Sequence, residues 1–104
     1  MIRHIVMLDL AAGHDADALA QVMAGLDALR DQIAGFLGFA HGPNRDFEGK
    51  SPDCAYGFTC DFDGPATARA YLDDPDHRAL GARLVALCNS GAAGITVVDL
   101  QVAA

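Results

Sequence analysis

The sequence predicts an α+β fold of the ferredoxin-like type, βαββαβ, in which a four-stranded antiparallel sheet carries both helices on one face. Apolar residues alternate with period two over 2–10, 36–43, 54–62 and 95–102, as in strands. Helical spacing fills 16–34 and, in two segments, 65–89. The chain has 104 residues, 52% of them apolar, so we expect a single domain over 1–104 with a substantial core.

The first strand has one more apolar side, and His4 is its one polar member. Ile2, Val6 and Leu8 share the even positions with His4, whereas Arg3 and Asp9 fall on the other side. His4 is either a hydrogen-bonded core histidine or a group that lines a pocket under the helices. The strand alone leaves both interpretations open.

The first helix and second strand lead into the most polar stretch of the chain. Asp15 is a good N-cap and Gly35 a good C-terminal stop for that helix. Residues 44–53 then form a long hairpin loop of the kind that is often functional. Asn44 and Arg45 could bind an anionic ligand, or the loop's cations could simply pair with its own carboxylates.

The third strand separates large side chains from small ones. Its even positions carry bulky residues that need a covering layer of helices, and Tyr56 is the only one with a hydroxyl group. Its odd positions, from Ala55 to Asp61, are mostly small. The small face indicates that another sheet approaches closely.

The segment 71–77, Tyr-Leu-Asp-Asp-Pro-Asp-His, places a phenol and an imidazole on either side of a helix restart. Asp74 is the predicted N-cap and Pro75 the first helical residue. The helix dipole favours a neutral His77 and the neighbouring aspartates favour a charged one, so the sequence leaves the sign of its pKa shift open. Tyr71 is either a core residue or an acid–base group, and His77 either a polar first-turn residue or a general base.

The order of elements brings these groups into one space. In the split βαβ pattern the first and third strands are central neighbours, and right-handed crossovers put both helices on the same side. We therefore expect His4, Tyr56, Tyr71 and His77 to converge between helices and sheet. The other sheet face is apolar and uncovered, which predicts a homodimer whose two sheets face each other as a barrel.

Composition argues against several classes of function. The net charge is −7 with only seven scattered Lys and Arg, which argues against nucleic acid and anionic membrane as partners. No apolar run is long enough to span a membrane, and no signal-peptide pattern opens the chain. Three cysteines without paired spacing indicate free thiols in the cytoplasm. No metal-ligand spacing or cofactor motif occurs, so we expect neither group.

Three stretches resemble the stress-responsive A/B barrel (Dabb) family: Ile2 to Val6, Tyr71 to His77, and Val97 to Leu100. The resemblance covers essentially the whole chain, and the Tyr-x5-His segment with its internal proline is the most specific part. It implies a dimeric α+β barrel, in agreement with the architecture above. Many members of the family have no assigned activity.

One plant branch of the family closes a polyketide ring by cofactor-free aldol chemistry, and the resemblance extends to its site. It implies that His77 removes a proton next to a carbonyl, that Tyr71 holds the oxygen on which charge develops, and that His4 is a pocket residue. Where that branch has a third-strand histidine, this chain has Tyr56, so the resemblance does not imply the same substrate.

The leading hypothesis is therefore a cofactor-free cyclase, isomerase or lyase that acts on a small carbonyl compound. His77 would be the base and Tyr71 the oxyanion donor, with His4 and Tyr56 as orienting groups. One alternative is a non-catalytic, stress-associated dimeric binding protein. Another is a cofactor-free barrel monooxygenase that acts on an electron-rich aromatic compound.

Overall fold

The computed structural model describes residues 1–103 and shows the predicted order of elements. The strands are β1 (Ile2–Leu8), β2 (Phe36–Pro43), β3 (Tyr56–Phe62) and β4 (Ile95–Gln101). The helices are α1 (Ala16–Ala28), α2 (Pro65–Asp73) and α3 (Pro75–Val85). A short 3-10 helix, Leu29–Asp31, follows α1, and a second one, Gly91–Gly94, precedes β4.

The four strands form one antiparallel sheet in the order β2-β3-β1-β4. The predicted central pairing of the first and third strands is confirmed, with His4 opposite Cys60. On the other side of β1, His4 lies opposite Asp99 of β4. Because directly paired residues of antiparallel strands point to the same face, this register puts His4, Cys60 and Asp99 on one side of the sheet.

The core lies between that side of the sheet and the helices. Along β1 the even positions are buried and the odd ones half-buried, as the alternation predicts. Leu19, Val22, Met23 and Leu26 of α1 form the matching helical stripe. Tyr71 and Phe62 are the largest of the fully buried side chains. The layer is therefore rich in aromatic rings where α2 crosses the sheet.

The helix boundaries follow the local chemistry of the chain. Asp15 caps α1 by accepting from the backbone N–H groups of Asp17 and Ala18. Asp74 caps α3 in the same way, accepting from Asp76 and His77 at 2.8 and 3.1 Å. Pro75 is the first residue of α3, where a missing N–H costs no helical bond. The predicted helix restart is thus confirmed, and it fixes His77 in the first turn.

Some ends differ from the sequence prediction. The first strand ends at Leu8, two residues before its predicted end, and the third begins at Tyr56, two residues after its predicted start. The first helix ends at Ala28 and passes through a 3-10 turn before Gly35, whose φ of 90° is left-handed. A β-bulge between Phe36 and Gly38 opens β2. Strand and helix ends depend on tertiary contacts that periodicity does not encode.

No helix covers the other face of the sheet in the described part of the chain. Ile5 and Met7 are half-buried there, and Val98 and Leu100 are 45% and 44% exposed. Met7 lies across Gly57, where a Cβ atom would come within 2.5 Å of its sulfur. This apolar face is the one that the sequence predicts to be uncovered. Within residues 1–103, no helix has the length and hydropathy to cross a membrane.

Candidate functional site

His4 occupies the buried side of β1, as the alternation predicts. It is 6% exposed and is the only buried polar residue in the described part of the chain. Its ring lies 5.7 Å from that of Tyr71 and 6.2 Å from that of Phe62, between centroids. The first strand's histidine therefore faces the helices and is enclosed by aromatic rings.

Asp99 is the hydrogen-bond partner of His4 and was not recognised from the sequence. Its Oδ1 lies 2.6 Å from Nδ1 of His4, and its side chain is 51% exposed. The carboxylate accepts the Nδ1–H bond, which fixes the ring orientation, and Nε2 takes no part in that bond. Asp99 is the only acidic residue of the last strand, which could have marked it as a candidate. The side of the sheet on which it lies depends on the register between β4 and β1, which the sequence does not give.

Tyr71 and His77 lie in direct contact beside His4. Their ring centroids are 4.0 Å apart, and Tyr71 has no exposed surface. The Tyr71 hydroxyl lies 3.8 Å from the Cys60 sulfur, a weak hydrogen bond. Nδ1 of His77 is buried, and no described residue forms a hydrogen bond with it. The structure thus brings together three of the four groups expected to converge, with Tyr71 between the two histidines.

Burial decides the charge of His77, which the sequence left open. Desolvation lowers its pKa, and repulsion from His4 lowers it further. The Leu72 carbonyl and the Asp74 carboxylate act in the opposite direction but do not reverse the shift. His77 is therefore a neutral ring at pH 7, able to accept a proton.

Burial also suppresses ionisation of the two groups next to this cluster. It raises the pKa of the Cys60 thiol to about 12, so that group is not a nucleophile at neutral pH. It raises the pKa of Tyr71 well above its ordinary value, with the Cys60 contact acting in the same direction. Tyr71 consequently remains a protonated phenol, which is the form that donates a hydrogen bond.

A cleft of about 270 Å³ reaches this cluster from the edge of the sheet. His4 and Asp99 contribute the polar part of one side, and Arg69 of α2 stands on the other. The remaining lining is apolar and comes from β1, β3 and α2: Ile2, Phe62, Pro65, Ala68 and Leu72. Neither Tyr71 nor His77 lines the cleft. A ligand there would touch His4 directly and the other two groups only through it.

Tyr56 does not join the cluster, so that part of the predicted convergence is wrong. It lies on the expected side of β3 but four residues from Cys60, which is ~13 Å along a strand. Its hydroxyl lies 2.5 Å from Nδ1 of His41, an exposed ring near the end of β2. Alternation predicted the correct face of the sheet, but the position along the strand separates Tyr56 from His4.

The loop residues Asn44 and Arg45 are not near the cleft either. The Asn44 amide donates to Ser51 Oγ and to the Cys54 carbonyl, both at 2.8 Å, and accepts from the Asp46 backbone. Arg45 lies over the ring of Phe47, 5.8 Å from its centroid. These contacts hold the loop in its own fold. The partners of Asn44 all lie in or next to the loop, but they are hydroxyl and backbone groups and not the carboxylates that the alternative named.

Within residues 1–103, no three histidine, cysteine or acidic side chains lie close enough together to hold a metal ion. Cys54, Cys60 and Cys88 are free thiols. The polar groups that line the cleft are the imidazole of His4, the carboxylate of Asp99 and the guanidinium of Arg69.

The stress responsive A/B barrel domain family model matches residues 2–102. The chain belongs to this family. That result confirms the resemblance seen in the sequence, including the segment that holds Tyr71 and His77. No curated protein matches the sequence.

Solved structures show the same fold. A dimeric ferredoxin-like protein of unknown function from Jannaschia sp. CCS1 is 46% identical, with a TM-score of 0.92, over 97% of this chain and 98% of that one. A hydroxynitrile lyase from Passiflora edulis is 13% identical, with a TM-score of 0.81 over 98% and 93%. A putative antibiotic biosynthesis monooxygenase from Deinococcus radiodurans is 16% identical, with a TM-score of 0.74 over 100% and 94%. The latter two likenesses concern the fold alone.

Proposed function

We propose that this Dabb-family protein binds a small carbonyl compound in the cleft above His4 and moves a proton on it without a cofactor. One observation carries the proposal: the buried His4 lines a cleft, is oriented by Asp99, and packs against Tyr71, which in turn contacts His77. A nitrogen base held in an apolar cleft by a carboxylate is suited to removing a proton next to a carbonyl. The fold is shared with a hydroxynitrile lyase, which supports an enzymatic role.

In the proposed step, Nε2 of His4 takes a proton from the carbon next to the carbonyl. The electron pair of the broken C–H bond moves to the carbonyl oxygen and gives an enolate, while Asp99 stabilises the resulting imidazolium. Tyr71 and His77 support His4 from the interior, since neither lines the cleft. The sequence assigned the base to His77 and the oxyanion donor to Tyr71, and those roles remain predictions that the same experiment tests.

Deuterium exchange into cyclohexanone in D2O, followed by NMR, tests the proposal with a defined probe. We expect the wild-type protein to accelerate exchange and His4→Ala to abolish the acceleration, because a positioned base contributes about 10²–10⁴-fold. His77→Ala should leave a folded protein with reduced exchange. His41→Ala is the matched control, since that histidine also bonds an oxygen on the same face but lies away from the cleft. Equal loss in His4→Ala and His41→Ala would contradict the proposal.

A non-catalytic binding protein is the second candidate, and the burial of Tyr71 favours it. Tyr71 is fully buried and its hydroxyl contacts Cys60, which is also what a purely structural core residue would do. In that case cyclohexanone would shift the NMR signals of Ile2 and Leu72 on binding, yet exchange would match that of His4→Ala. Fold likeness is the only support for the monooxygenase alternative.

We further propose that the protein is a cytoplasmic homodimer joined through the uncovered sheet face. That face is apolar and holds an open hollow of about 300 Å³, and the Jannaschia protein is described as dimeric. Three free thiols fit a reducing compartment. Val98→Glu should give a monomer in light-scattering measurements. Val97→Glu, on the opposite side of the same strand and similarly exposed at 48% against 45% for Val98, should not. A dimer that survives Val98→Glu would refute this interface.

A further inference from the structure

Arg69 differs from the other arginines in having no partner among residues 1–103. Arg3, Arg30 and Arg78 form ion pairs with aspartates, Arg83 bonds Gln21, and Arg45 lies over Phe47. No hydrogen bond or ion pair to the Arg69 side chain is formed within the described part of the chain. Arg45 and Arg83 also lack a carboxylate partner, but each contacts another side chain. Arg69 is exposed, so within residues 1–103 its guanidinium group is free to bind a ligand.

The helix geometry points Arg69 at the cleft. Pro65, Ala68, Arg69 and Leu72 fall at positions i, i+3, i+4 and i+7, so they share one face of α2, and all four line the cleft. Arg69 is the cation of that lining, and its neighbours on the helix face are apolar. The guanidinium group forms two parallel hydrogen bonds with carboxylates and similar planar anions.

The charges of the cleft lie on opposite sides. Asp99 belongs to β4 and is engaged by His4 at 2.6 Å, whereas Arg69 belongs to α2. No ion pair joins Arg69 to Asp99, so each can act on a different part of a ligand. A ligand with an anionic end near Arg69 would place its other end towards His4. A volume of about 270 Å³ limits that ligand to a small molecule.

We propose that the cleft is selective for short oxo acids, with the ligand's carboxylate held by Arg69 and its carbonyl end directed to His4. This inference rests on the proposed function, because it names the substrate class of the same cleft. The apolar side chains of Phe62 and Leu72 would contact the hydrocarbon chain that joins the two ends. Arg69 is therefore a specificity-determining residue, and His4 remains the group that meets the reacting carbon.

NMR titration with 5-oxohexanoate and with its methyl ester tests the inference, with the Ile2 and Leu72 methyl signals as the readout. We expect the acid to bind more tightly than the ester. Arg69→Gln should weaken binding of the acid about fivefold, equivalent to about 1 kcal/mol, and leave the ester unchanged. Arg69→Lys should recover part of the loss, since lysine keeps the charge but not the planar fork.

Arg30→Gln is the matched control, because Arg30 is an exposed arginine that pairs with Asp27 and does not line the cleft. It should bind both probes as the wild type does. Equal affinity of the wild type for acid and ester, or equal weakening by Arg69→Gln and Arg30→Gln, would overturn the anion site while leaving the cleft proposal standing. Absence of methyl shifts with either probe would overturn both, and exchange of cyclohexanone separately reports on the proton-transfer step.

Discussion

Two histidines on the helix-facing side of the same sheet each bond an oxygen, yet only one of them is enclosed. His4 pairs with Asp99 at 2.6 Å and is 6% exposed. His41 pairs with Tyr56 at 2.5 Å and lies in the solvent. The ring neighbours of His4 include Tyr71 from a helix, whereas those of His41, Phe39 and Tyr56, both come from the sheet.

The comparison indicates that a histidine bonded to an oxygen becomes a candidate for catalysis only where helices cover it. At the β1 end, α2 contributes Tyr71 and α3 contributes His77. Partial burial of His77 against Tyr71 lowers the pKa of His77. At the β2 end, the aromatic rings next to His41 are those of Phe39 and Tyr56, and His41 is exposed. A histidine that bonds a side-chain oxygen is thus part of a candidate site at one end and a surface contact at the other.

The largest expected effect comes from removing the phenol at each end. Tyr71→Ala should lower the free energy of unfolding by about 3–5 kcal/mol, because it empties a fully buried aromatic position. Tyr56→Ala, at a half-buried position, should cost about 1–2 kcal/mol. Chemical denaturation measures both values. Tyr71→Phe, which loses only the weak contact with Cys60, should cost about 1 kcal/mol, and equal losses in the two alanine variants would undo the distinction.

The carboxylate partner of His4 should have the next largest effect. Asp99→Ala leaves Nδ1–H of a buried ring without its acceptor, which costs about 1–3 kcal/mol of stability. Asp99→Asn keeps an acceptor oxygen and should recover most of that loss while losing the charge. Thermal unfolding of the three proteins gives the comparison. If both variants were as stable as the wild type, the bond would contribute nothing to the fold.

The lowered pKa of His77 predicts a pH dependence with a definite sign. Below about pH 6.5 the imidazole of the unfolded chain binds a proton while the half-buried ring of the folded protein does not, so stability falls as pH falls towards the folded pKa. Above about pH 6.5 the imidazole is neutral in both the folded and the unfolded chain, so His77 no longer makes stability depend on pH. Urea denaturation between pH 5 and 7 should show a shallower decline for His77→Gln than for the wild type. Parallel curves would mean that His77 titrates alike in both states.

The smallest effect should come from the exposed pair. His41→Ala removes a hydrogen bond between an exposed ring and Tyr56, so we expect a change within about 0.5 kcal/mol. Denaturation midpoints of this variant and the wild type should coincide within that limit. A loss comparable with that of Asp99→Ala would show that exposure does not separate the two pairs.

Several features of the site could be predicted from local sequence alone. Alternation along β1 placed His4 among buried residues, and the Asp74–Pro75 pair fixed the start of α3 and the turn that holds His77. These features depend on period, capping and proline geometry, which act over a few residues. The βαββαβ order then implied that the first and third strands are neighbours.

Other features required the tertiary structure because they join distant parts of the chain. Asp99 meets His4 across 95 positions, through a strand register that no local pattern sets. Tyr56 shared the correct face but lies too far along β3, since alternation specifies a side of the sheet and not a distance. The sign of the His77 pKa shift was open until burial outweighed the opposing charges.

By itself, then, the sequence determined the order of the elements, the buried face of the first and third strands, and the resemblance to the family. Only the packing of the tertiary structure decided which side chains of the site contact one another, which are shielded from solvent, and where a cleft reaches them. The physical reason is one of range. Backbone preferences and capping act between near neighbours, whereas desolvation and strand register arise only when the helices and the sheet are brought together.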